Sequence, residues 1–201
     1  MTISDFFING TKIEPGMRTT IDLPAGRLYT HAPMTIPVHV IRGRRDGPRL
    51  FVSAAIHGDE INGVEVIRRI LSLKNILRLK GTLLAVPVVN VFGFNGHSRY
   101  LPDRRDLNRS FPGREQGTLA GRLANIFMSE IVCHSDIGID LHTAAVRRTN
   151  YPNVRGDMSH PVVRRMAEAF GCEVILSGKG PKHALRPEAT AAGCPTIIME
   201  G

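Results

Sequence analysis

The chain has 201 residues, 42% hydrophobic and 22% charged, which suits one packed domain, or one domain plus an appendage, and excludes a disordered tail. Its net charge of +8 comes mostly from arginines, scattered singly and in pairs (Arg44-Arg45, Arg68-Arg69, Arg104-Arg105, Arg147-Arg148, Arg164-Arg165) rather than massed in one tract, and with no tryptophan to stack bases it does not read as a nucleic-acid surface. No apolar run approaches the roughly 18–20 residues that span a bilayer, the N-terminus lacks a leader pattern, and Cys133, Cys172 and Cys194 show no CxxC spacing, so a cytoplasmic protein without membrane partner or disulfide framework is expected.

Residues 1–48 form a β-rich N-terminal segment. Asn9-Gly10, Pro15-Gly16 and Asp46-Gly47 are turn dipeptides. Met34 to Ile41 reads as a strand running into the Asp46-Gly47 turn, and Pro37, which cannot donate to a ladder, favours an edge position for it.

From residue 49 to 201 the pattern changes to strands alternating with helices. Leu50–Ile56 is a short apolar strand, and Val64, Ile67, Ile70 and Leu71 follow at helical spacing. Leu83–Val89 is the next strand. Leu119, Leu123, Ile126 and Phe127 give a helix with one apolar face. Asp136–Leu141 is a third strand, Pro161 and Gly171 bracket a further helix, and Thr196–Met199 is a last strand. The alternation predicts an α/β fold, with a mixed, mostly parallel sheet covered by helices on both faces. Because the chain stops at Glu200-Gly201, directly after a buried strand, a truncated C-terminus is expected.

In such a sheet, ligands gather at the carboxyl ends of strands. His57 and Glu60 follow the first strand of this part, three residues apart, and His142 ends the Asp136–Leu141 strand. Two imidazoles and a carboxylate make a zinc set with room for water. Asp140, two residues before His142 and on the same face, suits a carboxylate that orients a ligand. Glu200 ends the last strand, where a carboxylate can take a proton from an attacking water and pass it to a leaving amine. Asn108-Arg109 pairs an amide with a guanidinium fork suited to a carboxylate, and Arg99 is placed to polarise a carbonyl oxygen.

Taken together, His57-Gly58-Asp59-Glu60, the run Asp106-Leu107-Asn108-Arg109-Ser110-Phe111-Pro112-Gly113, then Asp140-Leu141-His142-Thr143, and finally Met199-Glu200-Gly201 resemble the succinylglutamate desuccinylase/aspartoacylase family, a relative of the zinc carboxypeptidases. The resemblance implies one zinc ion per chain held by His57, Glu60 and His142, with Glu200 as general base and acid. It further implies Asn108 and Arg109 on the substrate carboxylate, Arg99 on the scissile carbonyl and Arg186 as another substrate-binding arginine. The activity implied is hydrolysis of the amide of an N-acyl amino acid or related small carboxylate. The alternatives are a zinc carboxypeptidase acting on a peptide or cell-wall fragment, and a non-catalytic metal-binding domain. The substrate within the class and the oligomeric state stay open, a homo-oligomer included.

Overall fold

The computed structural model describes residues 5–144 and 148–201; Arg147 of the fourth basic pair and the first four residues of the β-rich segment lie outside them. In chain order the elements are β1 (Phe7–Ile8), β2 (Thr11–Lys12), β3 (Arg18–Arg27), β4 (Pro33–Arg42), β5 (Arg45–Ala54), α1 (Asn62–Leu71), β6 (Lys80–Val86) and α2 (Val91–Asn95). They continue with α3 (Leu119–Glu130), β7 (Ile137–His142), β8 (Asn153–Gly156), α4 (Pro161–Phe170), β9 (Val174–Ser177), α5 (Leu185–Ala191) and β10 (Thr196–Glu200).

Asn9 and Gly10, both at positive φ, make the two-residue turn between β1 and β2 that the dipeptide announced. All other strands join one eight-stranded sheet in the order β3-β4-β6-β5-β7-β10-β8-β9. Its centre, β6-β5-β7-β10, is parallel throughout, while β3-β4 and β8 enter antiparallel. The mixed, mostly parallel α/β sheet is therefore as expected.

The parallel strands are buried on both faces, which is why they read as near-continuous apolar runs rather than alternating ones. On one face Phe51 and Leu84 pack with the α3 residues Leu123 and Phe127, the Phe51 and Phe127 rings meeting edge-on at 5.7 Å. On the other, Val52, Ala54, Ala85 and Leu141 pack against Ile67 and Leu71 of α1, and Val154 and Ile197 against Val163 and Ala167 of α4. Pro161 opens α4 and Gly171, at φ +82, ends it. Thr118 caps α3 by accepting from the Gly121 amide. No helix among the described residues is long and apolar enough to cross a membrane.

Two expectations from the N-terminal segment need correction. The strand carrying Pro37 is internal, between β3 and β6. Its pairing with β6 covers only His39–Arg42, so Pro37, opposite Asp22 of β3, sits where β4 has a neighbour on one side and no second ladder loses a donor. Asp46-Gly47 is not a turn but part of β5, at a register shift between Arg45 and Arg49. The chain leaves β4 and enters β5 after only Gly43 and Arg44, yet β6 lies between those strands. The link crosses the start of β6 in close backbone contact: a Cβ at Gly43 would stand 2.0 Å from the Leu79 carbonyl oxygen, and one at Gly81 2.0 Å from that of Pro48. The glycine after Asp46 serves the same crossing, since its Cβ would meet Lys80 backbone at 2.8 Å.

Gly43→Ala is accordingly expected to destabilise the protein by about 2–4 kcal/mol, whereas Gly178→Ala, where a Cβ meets open space, should stay within about 1 kcal/mol. Urea denaturation of both variants beside the parent measures the difference.

Candidate metal centre and its pocket

Three of the four parallel strands deliver the candidate residues to one rim of the sheet. After β5 the buried Ala55 takes φ +48, turning the chain off the sheet toward His57. The turn is then pressed onto α2: a Cβ at Gly58 would lie 2.0 Å from the Gly93 carbonyl carbon, and the Gly58 amide donates to the Ser98 carbonyl at 3.0 Å. Only glycine fits there, and the contact fixes where His57 and Glu60 point.

His57, Glu60 and His142 converge, all 5% exposed or less. The Glu60 carboxylate lies between the two rings, with Oε1 2.6 Å from His57 Nδ1 and Oε2 2.8 Å from His142 Nδ1. The Thr143 amide donates to Oε2 at 3.1 Å. Each imidazole is held from behind by another carboxylate: His57 Nε2 is 3.2 Å from Asp106 Oδ1, and His142 Nε2 is 2.8 Å from Asp140 Oδ2. Asp140 is itself fixed by the Ser53 hydroxyl, which donates to Oδ1 at 2.7 Å.

This arrangement fits a zinc ion. One donor atom from each of the three residues lies within 4.8 Å of the others, and bonds of ~2.0–2.1 Å to a tetrahedral zinc put donors roughly 3.3 Å apart. Both histidines turn Nδ1 inward and have a carboxylate at Nε2, the outer partner that metal-ligating histidines ordinarily have.

The protonation states follow from the same contacts. Burial opposes charge on His142, but Asp140 and Glu60 beside it lift the imidazole to about 10. Burial likewise pushes His57 down, and its bonds to Asp106 and Glu60 leave it raised. Burial would raise Glu60, yet the two rings hold it well below the usual carboxylate range. Asp106, also opposed by burial, is drawn down to about 2 by His57 and Arg99.

A cavity of about 340 Å³ opens over the three residues, and Arg99, Asn108, Arg109, Arg186 and Glu200 all line it. Arg99 bonds to Asp106 at 2.9 Å and approaches Glu60 at 3.4 Å. Asn108 is buried, its side-chain oxygen accepting from the Leu185 amide at 2.8 Å, so it ties the start of α5 to the pocket wall. Arg109, exposed, donates to the Asn108 carbonyl at 2.6 Å. Arg186 is 6% exposed and donates to the Gly178 carbonyl at 2.7 Å, while its Nε is buried without a partner among the described residues. Asn150 and Arg155 contact Glu200 at 2.8 and 3.3 Å. The sequence singled out neither residue; only a strand assignment at 153–156 would have shown that they share a wall with Glu200. Asp106 stood in a recognised motif, but its place behind His57 required the fold.

Residues 46–200 match the succinylglutamate desuccinylase/aspartoacylase catalytic domain. Over 109 residues the chain is 33% identical to an N-alpha-acetyl-L-2,4-diaminobutyric acid deacetylase of Halomonas elongata, covering 54% of this chain and 32% of the deacetylase. Its fold is similar to that of a succinylglutamate desuccinylase/aspartoacylase from Rhodobacter sphaeroides, with TM-score 0.79 and 25% identity over 92% of this chain and 56% of the other. It also resembles a metallo-carboxypeptidase from Burkholderia cenocepacia in fold, with TM-score 0.67 and 16% identity over 90% of this chain and 55% of that one. The chain thus spans about a third of the curated relative's length and little over half of these structures.

Zinc requires neutral imidazole nitrogens, and His142 is lifted to about 10, so metal uptake at pH 7 is expected to displace a proton from it, with His57, also raised, adding to the release. The sign follows: affinity should rise with pH, by about tenfold per unit between pH 6 and 8, as the competing proton leaves. Calorimetry in buffers of different ionisation enthalpy counts the protons. His142→Ala should lose the metal and His134→Ala, whose ring packs edge-on against Phe6, should keep it; elemental analysis of both variants decides.

Proposed function

The chain belongs to the succinylglutamate desuccinylase/aspartoacylase family, and on that basis we propose that it is a zinc-dependent hydrolase cleaving the amide of an N-acyl amino acid or a related small carboxylate. The observation that carries this reading is the convergence of His57, Glu60 and His142, with Glu200, on one cavity rich in guanidinium groups. When bound, zinc would supply Lewis acidity toward the amide carbonyl and toward a water.

The chain's own residues do the rest. Asn108, Arg109 and Arg186 bind the substrate carboxylate; among the described residues Arg109 and Arg186 have only backbone carbonyls as hydrogen-bond partners, which leaves their charge available for an anion. Arg99 meets the carbonyl oxygen as negative charge develops there. Glu200, at the end of β10 and mostly buried, takes the proton of the attacking water and delivers it to the departing nitrogen. Asp140 and Asp106 keep both imidazoles aimed with Nδ1 toward the metal.

The volume of about 340 Å³ supports a small acylated amino acid in preference to an extended peptide or cell-wall fragment. The three free cysteines suit a reducing, cytoplasmic setting.

Glu200→Gln is expected to keep zinc and to lose amidase activity by about 10²–10⁴-fold. A screen of N-acyl amino acids and short peptides, with metal content measured on the same samples, tests this. Full activity in the variant would remove Glu200 from the chemistry, and a preference for peptides would favour the carboxypeptidase reading.

A further inference from the structure

Strand β8 supplies the wall of the pocket that faces Glu200. It runs antiparallel to β10, with Arg155 opposite Ile198 and Asn153 opposite Glu200. Since residues two apart on a strand share a face, Arg155, Asn153, Ile198 and Glu200 all lie on one side of the sheet. That face is the pocket side, because His142, also lining the cavity, is in register with Glu200.

Each oxygen of the Glu200 carboxylate has its own partner from this segment, one a hydrogen-bond donor and the other an ion-pair partner. Asn150 Nδ2 donates to Oε2 at 2.8 Å, and Arg155 Nη1 reaches Oε1 at 3.3 Å. The guanidinium is aimed in turn: Arg155 Nε donates to Asn153 Oδ1 at 3.0 Å, and Asn153, 6% exposed, is anchored by donating to the Tyr151 carbonyl at 2.8 Å. A chain of three side chains therefore ends on the carboxylate.

We propose that Arg155 and Asn150 are positioning residues that hold the Glu200 carboxylate in the orientation in which it receives the proton of the attacking water. This rests on Glu200 being the proton carrier. A carboxylate offers about four acceptor sites, so one donor at Oε2 and a guanidinium beside Oε1 hold its plane and leave sites for the water. Without them Glu200 turns about its side-chain bonds, and a displacement of about 1 Å at a reacting group costs on the order of 10²-fold in rate. With its side chain 41% exposed, Arg155 would add little as an ion pair alone, but the Glu200 carboxylate it meets is 13% exposed and is held at its other oxygen by Asn150. A substrate-gripping role for Arg155 fits less well, because its guanidinium is already paired with Glu200, whereas among the described residues Arg109 and Arg186 bond only to backbone carbonyls.

The test uses the full zinc-loaded chain and the N-acyl amino acid turned over fastest. Arg155→Met is expected to lower kcat by about 10- to 100-fold with KM within about threefold and zinc content unchanged. Asn150→Ala should act in the same direction, and Arg155→Lys should recover part of the loss. In the Glu200→Gln background, Arg155→Met should cost nothing more, since the group it positions is gone. A rise in KM at unchanged kcat, or losses that multiply in the double variant, would make Arg155 a substrate contact and overturn the proposal. A crystal structure of Arg155→Met gives a readout free of turnover: the Glu200 carboxylate should leave its place, and an unmoved carboxylate overturns the idea. If Glu200→Gln is inert while Arg155→Met is fully active, only this proposal fails; if Glu200→Gln is itself active, the reading beneath it fails.

Discussion

The hydrogen bond from the Ser53 hydroxyl to Asp140 Oδ1, 2.7 Å long and buried between two parallel strands, sets the height of everything at the rim. Ser53 and Asp140 are register partners of β5 and β7. A slip of β7 by one residue would turn Asp140 to the apolar side packed against α1 and leave Ser53 without its acceptor, at a cost of several kcal/mol. His57 follows Ser53 by four residues and His142 follows Asp140 by two, so the register that satisfies this bond also brings the two imidazoles level. Asp140 spends its second oxygen on His142, and one carboxylate thereby couples sheet alignment to ligand aim.

Charge balance is the second constraint on the cluster. Glu60, Asp106 and Asp140 are brought together with two imidazoles and the Arg99 guanidinium in a largely dry environment. Burial opposes charge on each ring while the facing carboxylates raise both, so the cluster carries part of its own charge compensation. That sharing is how a buried ionic cluster limits the heavy penalty of an uncompensated charge.

Much of this was legible in the sequence, for a definite reason. The parallel strands are apolar on both faces and stop abruptly at polar residues, so His57, His142 and Glu200 announced themselves as strand ends. The parts that stayed hidden depend on pairing rather than pattern. Pro37 marked a locally one-sided stretch of an internal strand, a distinction only the length of β6 could make. Asp46-Gly47 has the chemistry of a turn, but its glycine answers to the backbone of Lys80 across the sheet. Strand β8 is four residues long, with Arg155 among them, and carries no alternation long enough to announce a strand; with it went the link from Asn150 and Arg155 to Glu200. Asp106 stands 49 residues from His57, and no local spacing joins them.

The two-residue passage from β4 to β5 has a consequence for how the chain assembles. Strands joined so tightly would ordinarily zip together as a hairpin, yet here a later stretch, Lys80–Val86, must enter between them. Until it does, both strands present open edges and neither half of the sheet is complete. The wedge lies beyond α1 in the chain, so filling the slot is a non-local closure. Non-local closures of this kind are slow steps, and the bare backbone at Gly43 and Gly81 is what lets the link and β6 lie this close once it is made.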